Sequence, residues 1–307
     1  MNYDQFLHSK IVTAPESGFD LARADLHGGL KPHQEDAVIW ACKGGRRALF
    51  ESFGLGKTVQ ELEWCHQVVR HEGGQALIVL PLGVRQEFTR DAVELLGIDA
   101  PVYVRTMEEV AANCGAAILM TNYERVRDGD IDPRAFTACA LDEASVLRSF
   151  GSKTYQTFLD KFLGVRYKLV ATATPSPNKY KELIHYAGFL EVMDTGQSLT
   201  RFFKRDSTKA NNLTLYPHKE EEFWLWVSSW ALLIVDRLIN RYSNPGELVL
   251  DPFGGLGTVA LEAIKAGRKG YTIELNNDYF RDAVGYLQEY EANDGDVITL
   301  FDLLGAV

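Results

Sequence analysis

The chain has 307 residues, 46% of them hydrophobic, and a formal net charge of −10. This length and composition allow one large core or two smaller ones and exclude a disordered protein, so we expect two globular units. The negative charge is a mild argument against a nucleic-acid partner, although local basic patches can bind phosphate within an acidic protein. No apolar run reaches the ~18 residues of a membrane helix, and the first residues do not resemble a signal peptide. We therefore expect a cytoplasmic protein with no membrane partner.

From residue 26 to residue 190, short apolar runs alternate with helical patterns. This alternation predicts an α/β domain with buried parallel strands at 47–50, 76–80, 117–120, 138–141 and 167–171. Residues 1–25 show no sustained periodicity and are predicted to form an N-terminal arm. Residues 191–235 break the alternation and are predicted to form a linker, in which residues 223–230 form an amphipathic helix that buries its aromatic rings.

Residues 236–307 predict a single βαβ unit. Strands are expected at 248–250 and 270–273, with a helix at 259–266 between them and further helices at 236–242 and 279–291. The four cysteines form no Cys-x-x-Cys pair and the seven histidines have no metal-like spacing, so neither zinc nor a disulfide framework is indicated.

The segment Glu51-Ser-Phe-Gly-Leu-Gly-Lys-Thr58 is a glycine-rich turn between a predicted strand and a predicted helix. Such a turn places backbone N–H groups and a helix N-terminus around the phosphates of a nucleotide. We expect Gly54 and Gly56 to shape the turn, Lys57 to reach the phosphates, and Thr58 to bind Mg²⁺. The usual pattern begins with glycine where this chain has Glu51, so a chance turn is the alternative.

Two adjacent carboxylates, Asp142 and Glu143, directly follow the predicted strand 138–141. At the end of a strand, Asp142 can hold Mg²⁺ through water while Glu143 orients the attacking water. An Asp-Glu pair by itself is more often a solvated turn. Together with Lys57 and Thr58 it predicts ATP and Mg²⁺ binding, with Lys57, Asp142 and Glu143 as catalytic residues.

In this order along the chain, these segments resemble the first motor domain of superfamily-two DNA helicases of the phage-encoded, Swi/Snf-like type. Residues 30–38 are similar to the adenine-reading motif of that family, which implies that Gln34 contacts the base. The resemblance implies a RecA-like domain that binds ATP and Mg²⁺ and acts on double-stranded DNA.

Further segments extend the resemblance to the nucleic-acid motifs of this family. Residues 80–85 and 120–124 are similar to motifs that touch the nucleic-acid backbone, with Thr121 and Asn122 as candidate contacts. Residues 170–178 are similar to the motif that couples hydrolysis to DNA, which implies that Thr172 and Thr174 are the polar couplers. We find no second RecA-like domain, which in this family supplies arginine fingers. The sequence therefore supports ATP binding more strongly than fast turnover or strand separation.

A second glycine turn, Asp251-Pro-Phe-Gly-Gly-Leu-Gly-Thr258, is followed about 20 residues later by Glu274. Glycines let the backbone approach a ligand, and an acidic residue after the next strand can hold both ribose hydroxyls. The string and Glu274 resemble the cofactor-binding motifs of DNA amino-methyltransferases acting on adenine N6 or cytosine N4. The resemblance implies S-adenosylmethionine binding, with Glu274 on the ribose and the methionine end held by Asp251, Gly254, Gly255 and Gly257. A dinucleotide oxidoreductase is the alternative.

The predicted fold class is therefore α/β: a RecA-like P-loop parallel-sheet domain followed by a partial Rossmann-like methyltransferase βαβ unit. The catalytic Pro-Pro motif of the methyltransferase family does not occur in this sequence. One hypothesis is a helicase-like ATPase fused to a site-specific DNA methyltransferase, from a phage or its bacterial host. A second is an internally deleted, catalytically incomplete nucleotide-binding remnant or subunit, which a second chain could complete. A third is a self-sufficient ATPase against which the C-terminal unit merely packs.

Overall fold

A computed structural model of the chain describes residues 12–51, 54–148, 153–173, 175, 180–205, 213–233, 239, 243–251, 258–273, 280–281, 283–285 and 287–288. The chain divides into two compact units, residues 1–232 and residues 233–307. Among the described residues, no helix is both long enough and apolar enough to cross a bilayer.

The first unit is built around one seven-stranded sheet, whose spatial order is β3-β4-β2-β5-β6-β1-β9. Its neighbouring strands from β3 to β1 pair in parallel. The strands are β1 (Arg46–Phe50), β2 (Ala76–Val79), β3 (Val102–Tyr103), β4 (Ile118–Thr121), β5 (Ala138–Leu141), β6 (Tyr167–Thr172) and β9 (Ala231–Leu233). A separate antiparallel pair joins β7 (Phe203–Arg205) to β8 (Leu213–Leu215).

Helices alternate with these strands along the chain. In the first unit they are α1 (Pro32–Gly44), α2 (Lys57–Glu72), α3 (Arg85–Glu94), α4 (Met107–Ala112), α5 (Tyr123–Asp128), α6 (Lys153–Lys161), α7 (Lys181–Phe189), α8 (Thr195–Phe202) and α9 (Glu220–Ser228). Every residue of β2, β4 and β5 is buried. Burial on both faces of a parallel sheet explains why these strands are continuous apolar runs in the sequence. The predicted parallel-sheet α/β fold is confirmed, with a strand at each of the five predicted runs.

The aromatic segment of the predicted linker is part of the first unit. The side chains of Phe223, Trp226 and Trp230 have no exposed surface, so the predicted burial of the aromatic rings agrees with the structure. The ring of Trp230 meets that of Phe50 edge-on at 6.0 Å. Directly after it, β9 joins the sheet beside β1, where the backbone N–H of Ala48 donates to the carbonyl of Trp230 at 2.8 Å. The strand β9 is not predicted from the sequence, because a three-residue strand has no measurable periodicity.

The second unit contains a parallel pair of strands, β10 (Leu248–Asp251) and β11 (Lys269–Thr272), with α10 (Thr258–Lys265) between them in the chain. This is the predicted βαβ arrangement. The helix lies so close to β11 that a Cβ atom at Gly270 would collide with the backbone of Ala260. Of the other predicted helices, 236–242 lies outside the described residues except for a helical residue 239, and the described residues between 280 and 288 are helical.

Candidate functional site

The carboxyl ends of β1, β6 and β5 form the edge of the sheet that carries the predicted site. Because the three strands are parallel, the residues that follow them all emerge at the same edge. Glu51 follows β1 and Asp142 follows β5, with β6 between the two strands. Two strand spacings separate these residues by about 10 Å, which leaves room for a polyphosphate and a cation.

The glycine-rich turn leads from β1 into α2. Its backbone is left-handed at Gly54 (φ 82°) and Gly56 (φ 81°), a conformation that glycine adopts without a steric penalty. Lys57 begins α2, and Thr58 is the half-buried second residue of that helix. The N-terminus of α2 therefore points its unpaired backbone N–H groups and its positive dipole end at this edge. The Lys57 side chain is buried, and its Nζ atom donates to the backbone carbonyl of Glu51 at 2.9 Å.

The predicted base-reading residue, Gln34, is buried against the same turn. Its Oε1 atom accepts from the backbone N–H of Lys31 at 2.9 Å, and its Nε2 atom donates to the carbonyl of Leu55 at 3.1 Å. The ring of His33 contacts the same carbonyl at 3.2 Å. A Cβ atom at Gly56 would collide with the Gln34 amide. The predicted adenine-reading segment and the glycine-rich turn are thus joined by direct hydrogen bonds.

The predicted pair of carboxylates lies at the end of β5. Asp142 is buried, and its backbone N–H donates to the carbonyl of Val79 at 2.9 Å. Burial, and then the neighbouring charge of Glu143, raise the pKa of Asp142 to about 6, although the charge of Lys57 acts in the opposite direction. Glu143 has a left-handed backbone (φ 48°), which is costly for a residue other than glycine and is typical of functional sites.

Two buried glutamates at this edge, Glu61 and Glu51, are not predicted from the sequence as functional residues, and Glu51 stands out there only as a departure from the usual motif. The carboxyl group of Glu61 is buried and shares a hydrogen bond with that of Asp142. The Oε1 atom of Glu51 is buried without a hydrogen-bond partner. Burial, and then the charge of Asp142, raise the pKa of Glu61 well above its ordinary value. Burial raises the pKa of Glu51 to about 7, although its Oε2 atom accepts from the amide of Gln60 at 2.8 Å. Position relative to the turn is the only sequence signal that could have indicated them.

Among the predicted nucleic-acid and coupling residues, Thr121 ends β4, Asn122 follows it, and Thr172 ends β6. Thr121 has no exposed surface, and its hydroxyl donates to the carbonyl of Val104 at 2.9 Å. Asn122 caps α5 by accepting from a backbone N–H of that helix. Thr172 is also fully buried, and its carbonyl accepts from the backbone N–H of Glu51 at 3.3 Å. Thr121 and Thr172 therefore stabilise the ends of β4 and β6 as buried residues. Thr174 lies outside the described residues.

The donor groups at this edge suit a magnesium nucleotide. The carboxyl groups of Glu61 and Asp142 are buried, and burial is the largest cause of their raised pKa values, which the charge of Lys57 opposes. Glu143 lies beside them and is half-buried. Within the part of the chain that the structure describes, no group of three or more His, Cys, Asp or Glu side chains could hold a metal by itself. Magnesium is typically held by one or two carboxylates plus phosphate oxygens and water, which matches this arrangement.

In the second unit, the structure describes only part of the predicted cofactor site. Asp251 ends β10 opposite Thr272, and its carbonyl accepts from the backbone N–H of Ile273 at 2.9 Å. Gly254, Gly255, Gly257 and Glu274 lie outside the described residues. Because β10 and β11 pair in parallel, their carboxyl ends lie at one edge. A cofactor-binding turn after β10 and a ribose contact after β11 require this arrangement.

Comparisons with known proteins fit both units. Residues 152–285 match the N6_N4_Mtase family model, described as DNA methylase. This match begins before β6 in the first unit and extends through β11. The chain is 46% identical over 48 residues to the DNA adenine methyltransferase YhdJ of Escherichia coli (strain K12), which is 16% of this chain and 16% of that protein.

The longer match is to a helicase. The chain is 24% identical over 240 residues to a chromodomain-helicase-DNA-binding protein 3 homolog of Caenorhabditis elegans, covering 64% of this chain and 13% of that protein. Among solved structures, it resembles the Sulfolobus solfataricus SWI2/SNF2 ATPase core in complex with dsDNA, with a TM-score of 0.54 and 17% identity over 92% of this chain and 63% of that one.

The chain thus joins a P-loop unit with the fold of an ATPase core to a segment of methyltransferase type. More specifically, the chain has the fold of a SWI2/SNF2 ATPase core, and its residues 152–285 are similar to DNA methylases, as the sequence motifs predict. It spans less than a fifth of the length of either of these two curated relatives.

Proposed function

We propose that the first unit binds ATP with Mg²⁺ and hydrolyses it in response to double-stranded DNA, and that the second unit binds S-adenosylmethionine for methylation of a DNA amino group. The observation that carries the first half is the position of Lys57 and Asp142 at one edge of a parallel sheet, close enough for the charge of Lys57 to oppose the rise that burial causes in the pKa of Asp142. The DNA partner is supported by the double-stranded DNA in the Sulfolobus solfataricus complex.

Each predicted ATP-site residue of the first unit has a role in this proposal. Lys57 exchanges the carbonyl of Glu51 for phosphate oxygens, since an ammonium group binds an anion more strongly than a neutral carbonyl. The backbone N–H groups at the start of α2 bind the same phosphates. Thr58 and Asp142 hold Mg²⁺, and Glu143 orients the attacking water. When bound, Mg²⁺ neutralises charge that develops on the phosphate oxygens.

In the proposal, Gln34 reads the adenine base, and Thr121, Asn122, Thr172 and Thr174 act between the DNA and the ATP site. Because Thr121 and Thr172 are buried, their part is to hold the ends of β4 and β6 in place. We also propose that the protein belongs to a phage-type DNA modification system, because its motifs follow the order found in that type of helicase.

The test of the first half is Mg²⁺-dependent ATP hydrolysis by the purified chain, measured with and without double-stranded DNA. We expect DNA to stimulate turnover, and we expect Lys57→Ala and Asp142→Asn to abolish it. Lys43→Ala is the matched control, because the Lys43 side chain is 49% exposed and pairs with Glu16 at the surface. Equal turnover in Lys57→Ala and in the wild-type chain would refute the proposed site.

The test of the second half is binding of S-adenosylmethionine by calorimetry, followed by transfer of a labelled methyl group to DNA. The cofactor is proposed to contact Asp251, Gly254, Gly255, Gly257 and Glu274. We expect Glu274→Gln to weaken binding and Glu247→Gln to leave it unchanged. Glu247 is the control because its carboxylate accepts from the backbone N–H of Asn244 at 2.8 Å on the exposed surface.

A second candidate function is a nucleotide-binding component that another chain completes. The observation that favours it is the lack of a Pro-Pro sequence, which the amino-methyltransferase motif would require. This candidate predicts ATP and S-adenosylmethionine binding by the isolated chain without turnover of either. Hydrolysis or methyl transfer by the isolated chain would refute it.

A further inference from the structure

A buried tyrosine hydroxyl connects two parts of the first unit that the proposed function treats separately. The hydroxyl of Tyr123 donates to the backbone carbonyl of Asp142 at 2.6 Å. Tyr123 begins α5, just after β4, whereas Asp142 follows β5, and β2 lies between these two strands. The hydrogen bond therefore spans two strand spacings and bypasses the sheet ladder.

The position of the Tyr123 ring is determined by packing. The side chain is only 9% exposed, and its ring stacks on that of Phe158 in α6 at 5.6 Å, with an angle of 21° between the planes. Phe158 has no exposed surface. A ring held in this way has few alternative rotamers, so its hydroxyl is presented to the carbonyl at little entropic cost.

The carbonyl of Asp142 belongs to the peptide that leads into Glu143. The backbone of Glu143 is left-handed at φ 48°, which an L-residue other than glycine adopts only when its surroundings impose it. On one side, the N–H of Asp142 is held by the carbonyl of Val79 at 2.9 Å, and on the other, the N–H of Ser145 donates to the carbonyl of Glu143 at 2.6 Å. The Tyr123 hydroxyl adds a hydrogen bond to the carbonyl of this peptide from another element, α5.

We propose that Tyr123 is a positioning residue, which orients the Glu143 side chain by holding the peptide between Asp142 and Glu143. The inference rests on the proposed ATP hydrolysis and deepens it. Since Tyr123 also begins α5, a displacement of that helix is passed to the same peptide. Water orientation by Glu143 then depends on the segment Thr121 to Glu124 as well as on β5.

The chain offers a matched pair of substitutions for the test. Tyr123→Phe removes the hydroxyl and keeps the ring that packs on Phe158. Tyr155→Phe is the control, because Tyr155 is also fully buried and also donates to a backbone carbonyl, that of His185, at 3.1 Å. Both variants lose a buried tyrosine hydroxyl, and only the first loses a bond to the Asp142–Glu143 peptide.

Two measurements on the full chain decide the inference. Amide hydrogen exchange of residues 143–147 in nucleotide-free protein is expected to become faster in Tyr123→Phe and to stay unchanged in Tyr155→Phe. The kcat of ATP hydrolysis is expected to fall about tenfold or more in Tyr123→Phe, since a misplaced catalytic group commonly costs that much, while the Kd for magnesium ATP changes by less than about threefold.

The outcomes separate this inference from the proposed function. Unchanged exchange in Tyr123→Phe overturns the positioning role whether or not the wild-type chain hydrolyses ATP. Faster exchange with an unchanged kcat also overturns it. A wild-type chain that binds no ATP overturns the proposed function, and exchange still reports whether the hydroxyl holds the peptide. Equal losses of kcat and equal shifts of the unfolding midpoint in both variants would show a structural role only.

Discussion

The Nζ atom of Lys57 donates a 2.9 Å hydrogen bond to the backbone carbonyl of Glu51, across the whole glycine-rich turn. Burial raises the pKa values of Asp142 and Glu61, and the charge of Lys57 opposes that rise. One buried ammonium group therefore closes the turn and partly compensates the carboxylates beside it.

Replacing Lys57 by alanine is expected to weaken magnesium ATP binding roughly tenfold to a hundredfold, because a hydrogen bond to a charged group contributes about 1.5–3 kcal/mol. Titration calorimetry of the variant and of Lys43→Ala checks this expectation. Unchanged affinity in Lys57→Ala would show that nucleotide binds elsewhere.

The buried Glu51 carboxyl predicts a pH-dependent stability. Its folded pKa of about 7 lies above its ordinary value of 4.5, so the folded state holds this proton more tightly than the unfolded state. The resulting stabilisation is complete below pH 4.5 and is lost as the pH rises to about 7, by about 3 kcal/mol. The unfolding midpoint of the nucleotide-free chain should therefore fall between pH 5 and pH 7.5.

Glu51→Gln should flatten this pH profile and raise the midpoint at about pH 8, because the amide resembles the protonated acid. The raised pKa values of Asp142 and Glu61 leave part of the slope in place. The exposed Glu87 supplies the control, and Glu87→Gln should not alter the slope. Parallel profiles for wild type and Glu51→Gln would contradict a buried, proton-binding Glu51.

The buried Glu63 connects α2 to the segment that precedes Gln34, at His27. Its Oε1 atom accepts from the backbone N–H of His27 at 3.1 Å and from the amide of Gln67 at 2.8 Å. Glu63→Ala should therefore loosen this segment, cost about 1–3 kcal/mol of stability and reduce the preference for ATP over GTP. Glu63→Gln, which keeps an acceptor oxygen, should retain more of the stability and more of the preference for ATP. Competition binding of the two nucleotides checks the prediction, and an unaltered ATP preference in Glu63→Ala would count against it.

Trp230 is expected to stabilise β1 from the edge of the sheet. Its ring packs on Phe50, the last residue of β1, and has no exposed surface. Trp230→Ala should lower the free energy of unfolding by about 3–5 kcal/mol, as is usual for removing a large buried aromatic side chain. Leu163→Ala, at a residue that is 62% exposed, should change it by less than about 0.5 kcal/mol. Chemical denaturation measures both, and similar small losses would show that β9 contributes little to the sheet.

The strands and the glycine-rich turn could be predicted because their causes are local. A strand buried on both faces must be apolar throughout, as residues 138–141 are, and the left-handed Gly54 and Gly56 are the residues that such a turn requires. The adjacency of Asp142 and Glu143 to β5 is likewise visible in the chain. The sequence by itself thus determined the α/β class and placed the proposed site residues after strands that end at one edge of the sheet.

The tertiary structure alone decided which other side chains meet there. Glu61 and Tyr123 lie on α2 and α5, and nothing in their local sequence shows that one is buried beside Asp142 or that the other binds its carbonyl. The strand β9 is too short to be recognised in the sequence, and it forms because it pairs with β1 at the edge of the sheet. Burial and hydrogen bonding between distant segments depend on how helices pack on the sheet, which local periodicity does not encode.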